Sequence, residues 1–138
     1  MFIDDSFIYS LSIGAKRELA IVITSPEVMN RLAKDNDNIV RCGVAYNPNT
    51  PPEALERLAN DEESFVRRMV ACNPNTPPEA LERLANDDDP GVRREVAKNP
   101  NYKKPNTNQI TNEQLVALKS LIESASNPHL QEFLKNVD

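Results

Sequence analysis

A chain of 138 residues is one domain's worth, long enough to bury a modest core. Its net charge of −5 counts against nonspecific attachment to nucleic acid or an anionic membrane. No stretch approaches the roughly 18 apolar residues that crossing a bilayer requires. With only two cysteines and no CxxC, a disulfide framework is excluded, and scarce aromatics (5%, no Trp) leave Leu, Val and Ala to build the interior.

Residues 1–20 come first. Met1 to Tyr9 carries Asp4 and Asp5 where a secretory leader would be positive. A cytoplasmic location is therefore expected. Arg17-Glu18-Leu19-Ala20 has the pattern of Arg94-Glu95-Val96-Ala97 far downstream, so this segment reads as a partial N-terminal cap.

Residues 21–46, 47–72 and 73–98 are three copies of a 26-residue unit. Asn47 to Asp61 returns unchanged as Asn73 to Asp87, and Val66, Arg67, Arg68, Val70 and Ala71 return as Val92, Arg93, Arg94, Val96 and Ala97. The first copy is degenerate but in phase: Thr24, Pro26, Glu27, Arg31, Leu32, Ala33 and Asp35 match Thr50, Pro52, Glu53, Arg57, Leu58, Ala59 and Asp61. A fixed period of this size marks a stacked array of helical units, which builds a surface rather than a catalytic pocket.

Each unit predicts two short helices. In the third, Thr76 and Glu79 form a capping-box pattern around Pro77 and Pro78, and Ala80, Leu81, Leu84 and Ala85 supply one apolar face. This is helix A, about residues 77–86, with counterparts over Thr50–Asn60 and Thr24–Lys34. Asp89 then caps a second helix that starts at Pro90 and carries Val92, Val96 and Ala97 inward. Asn99, a residue tolerant of the left-handed conformation, ends it ahead of Pro100. This is helix B, about residues 90–98, with counterparts at 64–72 and 38–46. It is short enough for part of it to be 3₁₀, and neither helix is stable without neighbouring repeats.

After Lys98 the period breaks, and residues 99–110 read as a loop. Thr111 and Gln114 cap a longer helix with Leu115, Leu118, Leu121 and Ile122 inward, and Asn127-Pro128 opens a last one with Leu130, Phe133, Leu134 and Val137. These helices, within 111–138, are expected to cap the stack, and the whole chain reads as a single helical-repeat domain. No strand pattern occurs anywhere.

Repeats two and three share 20 of 26 positions, so the differences stand out. Apart from two Glu-to-Asp exchanges they are Ser64/Pro90, Phe65/Gly91, Met69/Glu95 and Cys72/Lys98. Phe65, Met69 and Cys72 lie at i, i+4 and i+7, one stripe of helix B. The stripe is Ile39, Gly43 and Tyr46 in the first repeat and Gly91, Glu95 and Lys98 in the third, so it runs from apolar to polar along the array. Two readings are open: a partner-binding stripe on a concave helix-B face, or filler between repeats.

Arg41, Arg67 and Arg93 recur at one position, in step with Asp35, Asp61 and Asp87, which favours structural pairing. Arg68 and Arg94, replaced by Cys42 in the first repeat, are candidates for polar or anion contacts. His129 stands alone, and Glu53-Glu56 and Glu79-Glu82 are solvated helix-surface carboxylates rather than acid–base pairs. There is no phosphate loop, metal-ligand spacing or nucleophile motif, so no catalytic residue and no metal is expected.

The assembled pattern, Val-Arg-x-x-Val-Ala-x-Asn-Pro-x-Thr-Pro-x-x-x-Leu-x-x-Leu-Ala-x-Asp, resembles the leucine-rich repeat variant family over about residues 15–101. The resemblance implies an all-α, right-handed α-solenoid of alternating α and 3₁₀ helices, related to HEAT and armadillo arrays. The family's founding member has a cysteine-ligated iron–sulfur cluster ahead of its repeats. That part does not carry over, because Cys42 and Cys72 fall in different repeats and such a cluster usually takes four thiolates. No cofactor is expected. The function expected is a non-enzymatic scaffold, monomeric or weakly oligomeric, that binds a protein or peptide. The alternative is phosphate-backbone binding through the arginines, which the acidic charge opposes.

Overall fold

The computed structural model describes residues 5–105, 110–124 and 132, and every regular element among them is an α-helix. They gather into two compact units, one ending at Lys104 and the other beginning at Pro105. The expected last helix around Leu130, Phe133, Leu134 and Val137, with His129, lies outside the described residues apart from Glu132.

The first unit opens with α1 (Asp5–Ser10) and α2 (Ile13–Val22). The repeats follow as helix pairs: α3 (Pro26–Leu32) with α4 (Asn38–Tyr46), α5 (Pro52–Leu58) with α6 (Ser64–Cys72), and α7 (Pro78–Leu84) with α8 (Pro90–Lys98). All three helix-B segments have the bounds expected from sequence, and they are α-helical rather than 3₁₀. The helix-A segments are shorter than expected. Their last turn tightens into i→i+3 bonds, Asn86 N to Arg83 O (3.1 Å) and Asp87 N to Leu84 O (3.1 Å), which swings the chain toward helix B.

Helices α2, α4, α6 and α8 pack side by side in one row, with α3, α5 and α7 behind them. Between the rows lies the core: Leu55 and Leu58 from α5, Leu81 and Leu84 from α7, and Val40, Val44, Val66, Val70, Val92 and Val96 from helix B. Each such side chain contributes roughly 1.5–3 kcal/mol on full burial. Helices of seven to nine residues need that contribution from their neighbours.

Two sequence expectations about helix ends are corrected. Thr50 and Thr76 do not cap helix A, which begins only at the second proline of each Pro-Pro pair and has no side-chain cap. Both threonines are instead buried, and their hydroxyls donate back to helix B, Thr50 Oγ1 to Val44 O (2.5 Å) and Thr76 Oγ1 to Val70 O (2.6 Å). The prolines remove amides that a cap would otherwise have to satisfy. In the first repeat, where Ser25 replaces that proline, Ser25 accepts from Val28 N (3.5 Å) and takes the cap role expected of Thr24. Asp89 does cap α8, accepting from Val92 N at 3.0 Å.

The second correction concerns Asn99, which is extended at φ −72 and ψ 126 rather than left-handed. Asn47, Asn73 and Asn99 form a buried ladder. Asn73 Nδ2 donates to Ala45 O (2.8 Å) near the end of α4 and to Asn47 O (2.9 Å), the preceding rung. Asn99 repeats this with Ala71 O (2.8 Å) and Asn73 O (3.0 Å), and Asn47 with Ala20 O (3.0 Å) and Ile23 O (2.8 Å). Each Oδ1 accepts from the amide two residues on, at 2.9 Å for Asn49, Asn75 and Asn101. Every asparagine therefore closes its own turn and ties it to the end of the previous helix B in the row.

A second ladder lies at the other end of helix B. Arg41 Nε and Nη2 grip Asp61 of the next repeat at 2.7 and 3.1 Å, while Nη1 donates to Asp35 O (2.9 Å) and Asn36 O (3.2 Å). Arg67 does the same with Asp87 at 2.7 and 3.0 Å, and Lys16 meets Asp35 at 3.0 Å. The structural pairing expected holds for Arg41 and Arg67, with the carboxylate coming from the following repeat, whereas among the described residues Arg93 meets only carbonyls.

The second unit contains α9 (Asn112–Ser124). Its capping box is as expected, with Gln114 N donating to Thr111 Oγ1 (3.2 Å) and Thr111 N to Gln114 Oε1 (3.1 Å). Of the four apolar residues expected to face inward, Ile122 is buried, Leu115 half-buried, and Leu118 and Leu121 are exposed.

Candidate functional site

The asparagine ladder fixes the register of the helix row. Ala20, Ala45 and Ala71 offer equivalent carbonyls, at spacings of 25 and 26 residues. Helix α2 is thus the helix B of a leading unit one residue shorter than the rest. Glu18 and Ile21 then take the positions of Gly43 and Tyr46 in α4 and of Met69 and Cys72 in α6. Sequence comparison missed this extension of the stripe, although the match of Arg17–Ala20 to Arg94–Ala97 carried the signal.

Across α2, α4 and α6 the stripe opens into an apolar groove of about 370 Å³, within the range of ligand pockets. Ile21, Ile39, Tyr46 and Met69 form its walls, Cys42 and Gly43 its floor, and Arg17 and Glu18 its rim. Gly43 makes the groove in two ways. It leaves a side chain out of the middle of the stripe, and it lets α4 approach α2. A Cβ at Gly43 would stand 2.8 Å from Ala20 Cβ, a fully buried methyl that cannot swing aside. Gly43→Ala is therefore expected to destabilise by about 1 kcal/mol. Overpacking costs about 1–3 kcal/mol, and a helix-propensity gain of about 1 kcal/mol partly offsets it. Urea denaturation measures this, and a more stable variant would contradict the close approach.

The groove walls are open to solvent. Ile39 is 45% and Tyr46 62% exposed, whereas Phe65 and Met69 are half-buried against the core. The stripe thus divides: Ile39, Tyr46 and Met69 meet at the groove, and Phe65 mainly packs between helices. Tyr46 and Met69 also border a smaller depression of about 240 Å³ with Cys72, Pro48 and Pro74. At the α8 end the stripe is charged, with Glu95 and Lys98 paired at 3.1 Å and Cys72 Sγ 3.4 Å from Glu95.

Electrostatics settle several side chains. Arg17 donates from Nε and Nη2 to Asp37 (3.0 and 2.7 Å), which holds the Asp37 carboxyl at about 2. Lys98, then the Cys72 contact, hold Glu95 below the usual carboxylate range. Partial burial, reinforced by Glu95, pushes the Cys72 thiol up to about 11, and burial raises Cys42 as well. Both are therefore protonated near neutral pH and weakly nucleophilic. Arg68 reaches Asp89 (3.4 Å) with its guanidinium lying over Gly91, so this candidate anion contact is partly occupied, while Arg94 is exposed. Cys42 and Cys72 sit on different helices. Among the described residues no three His, Cys, Asp or Glu side chains converge as a ligand set, so these residues do not fit a cysteine-ligated cluster.

The groove therefore lies on a row of helices whose period, caps and ladders recur with the sequence unit. The family model for the leucine rich repeat variant matches residues 40–63 and 65–89, two adjacent units of that row. These two units are similar to leucine rich repeat variant repeats. Each match begins inside a helix B and runs through the following helix A, so the matched unit spans the asparagine ladder rather than a helix A–helix B pair. Such repeats form helical scaffolds commonly used for binding. No curated protein and no solved structure matches the chain. Among the described residues no helix is long and apolar enough to cross a membrane.

Proposed function

We propose that the chain is a non-enzymatic interaction scaffold whose helix-B face takes an apolar side chain of a protein or peptide partner in the groove between α2, α4 and α6. The observation that carries this reading is the placement of Ile39 and Tyr46. They are exposed apolar residues at positions where the repeats differ, around a depression that Gly43 keeps open. Apolar walls supply affinity through desolvation, and Arg17 at the rim, held by Asp37, orients a polar neighbour of the anchor.

The arginine ladder gives less support to phosphate binding. Arg41 and Arg67 each spend two donors on an aspartate and one on carbonyls, which leaves little for a phosphate backbone.

Panning a displayed random-peptide library against the full chain tests the reading. Enriched peptides should share an apolar anchor. They should lose about tenfold or more in affinity on an Ile39→Glu/Tyr46→Lys variant that keeps its helical circular dichroism. Enriched peptides that bind wild type and variant equally would remove the groove from consideration.

A further inference from the structure

The arginine ladder ends on an unfinished rung. Arg93 keeps the inner half of the arrangement, with Nη1 donating to Asp87 O (2.5 Å) and Asp88 O (3.1 Å), as Arg67 Nη1 does to Asp61 O (2.7 Å) and Glu62 O (3.2 Å). Those carbonyls orient the guanidinium. In Arg41 and Arg67 the opposite Nε–Nη2 edge then receives an aspartate of the next repeat in a two-point contact. Among the described residues no carboxylate pairs with Arg93, which is exposed. Ala97 is also exposed, whereas its counterparts Ala45 and Ala71 are fully buried by the following helix. Arg94 and Lys98 are exposed on the same helix.

We infer that this end of the helix row is a second interaction surface, separate from the groove, at which Arg93 binds the carboxylate of an acidic loop-and-helix segment of a partner protein. The pattern for the contact is internal. The rung geometry at Asp61 and Asp87 specifies a carboxylate presented by the turn ahead of a short helix, and it sets the approach to the Nε–Nη2 edge. Charge favours the same occupant, because the neighbouring Arg93 and Arg94 are both exposed on α8 with no carboxylate paired to either among the described residues. In a second copy of the chain the equivalent rung positions are taken. Its ladder aspartates Asp35, Asp61 and Asp87 are already bound to Lys16, Arg41 and Arg67.

The chain supplies its own probe, a fluorescent peptide with the sequence of residues 73–101, which carries the Asp87 turn between its two helical segments. Titrated into the full chain, it should bind saturably. Arg93→Ala, and separately the Asp87→Asn peptide against the unchanged protein, should each weaken binding about tenfold. Arg93→Lys should recover part of the loss, since an ammonium keeps the charge without the planar fork. The groove variant Ile39→Glu/Tyr46→Lys should bind the peptide like wild type, which separates this surface from the groove reading. Absence of saturable binding, or equal binding by the Asp87→Asn peptide, would overturn the inference. Self-association of the full chain that Arg93→Ala abolishes would overturn the choice of occupant.

Discussion

Asn73→Ala should lower the stability of the repeat unit by about 3 kcal/mol, on the order of 10–20 °C in melting temperature. The side chain is buried and makes three hydrogen bonds: two from Nδ2 to Ala45 O and Asn47 O, and one from Asn75 N to Oδ1. Truncation leaves two carbonyls and an amide of adjacent repeats unpaired where water has little access. A buried polar group without a partner costs about 1–3 kcal/mol, and relaxation of the turn recovers part of the sum. Domains of this size hold roughly 5–15 kcal/mol in total, so one asparagine decides a large share. Asn75→Ala is the matched control, since its amide reaches Pro48 O at the exposed surface; it should stay within about 1 kcal/mol. Thermal melts of the two variants check this. A loss at Asn73 no larger than at Asn75 would mean that the ladder follows from the stacking and does not hold it.

Arg67→Ala is the second large effect, a loss of about 2 kcal/mol at pH 7. It removes the two-point grip on the Asp87 carboxylate, whose side chain is only 9% exposed, and the contacts to Asp61 O and Glu62 O. Breaking a fully buried pair costs about 3–5 kcal/mol, and partial exposure of both partners discounts that figure. The effect carries a pH signature. The Arg67 guanidinium holds the Asp87 carboxyl below its ordinary range. On acidification the unfolded chain therefore takes up the proton first, at about pH 4. The stabilisation is fully present above that point and disappears as pH falls through the depressed folded value. The stability gap between wild type and Arg67→Ala should accordingly be constant from about pH 7 to 5 and narrow below about pH 4. Urea midpoints at a series of pH values measure it, and a gap unchanged down to pH 2.5 would assign the effect to packing alone.

Helix B was legible to the residue because its ends are written in local chemistry. Asp89 caps, Pro90 opens the first turn, and Asn99-Pro100 stops the helix. What the recurring Asn and Thr do was not legible, because their partners lie on other helices, six residues back for Thr76 and 26 or 28 for Asn73. One clue was present: an asparagine followed by proline is pushed toward extended backbone, against a left-handed helix end. The arginines' partners were half legible. Arg67 keeps a constant offset both to Asp61 behind it and to Asp87 ahead, and only the folded chain shows that it uses the carbonyl of the first and the carboxylate of the second.

The groove was legible as a set of differing residues but not as a shape. Ile39, Gly43 and Tyr46 lie on one stripe of a single helix, yet the wall contributed by Ile21 was hidden by the one-residue shortening of the leading unit. Phe65 and Met69 carry the same apolar signal as Ile39 and Tyr46, but they pack against the core. Helical spacing places such residues on one face. How far each is buried depends on what the neighbouring helix puts opposite.

The central claim is a division of labour: residues that recur hold the stack, and residues that differ make the groove. Ile39→Glu/Tyr46→Lys, measured for urea stability and for binding of the enriched peptides in the same buffer, tests it most directly. The account predicts stability within about 1 kcal/mol of wild type, as for surface changes, with peptide binding lost. A stability loss as large as that of Asn73→Ala would show that the differing residues are core, and would contradict the claim.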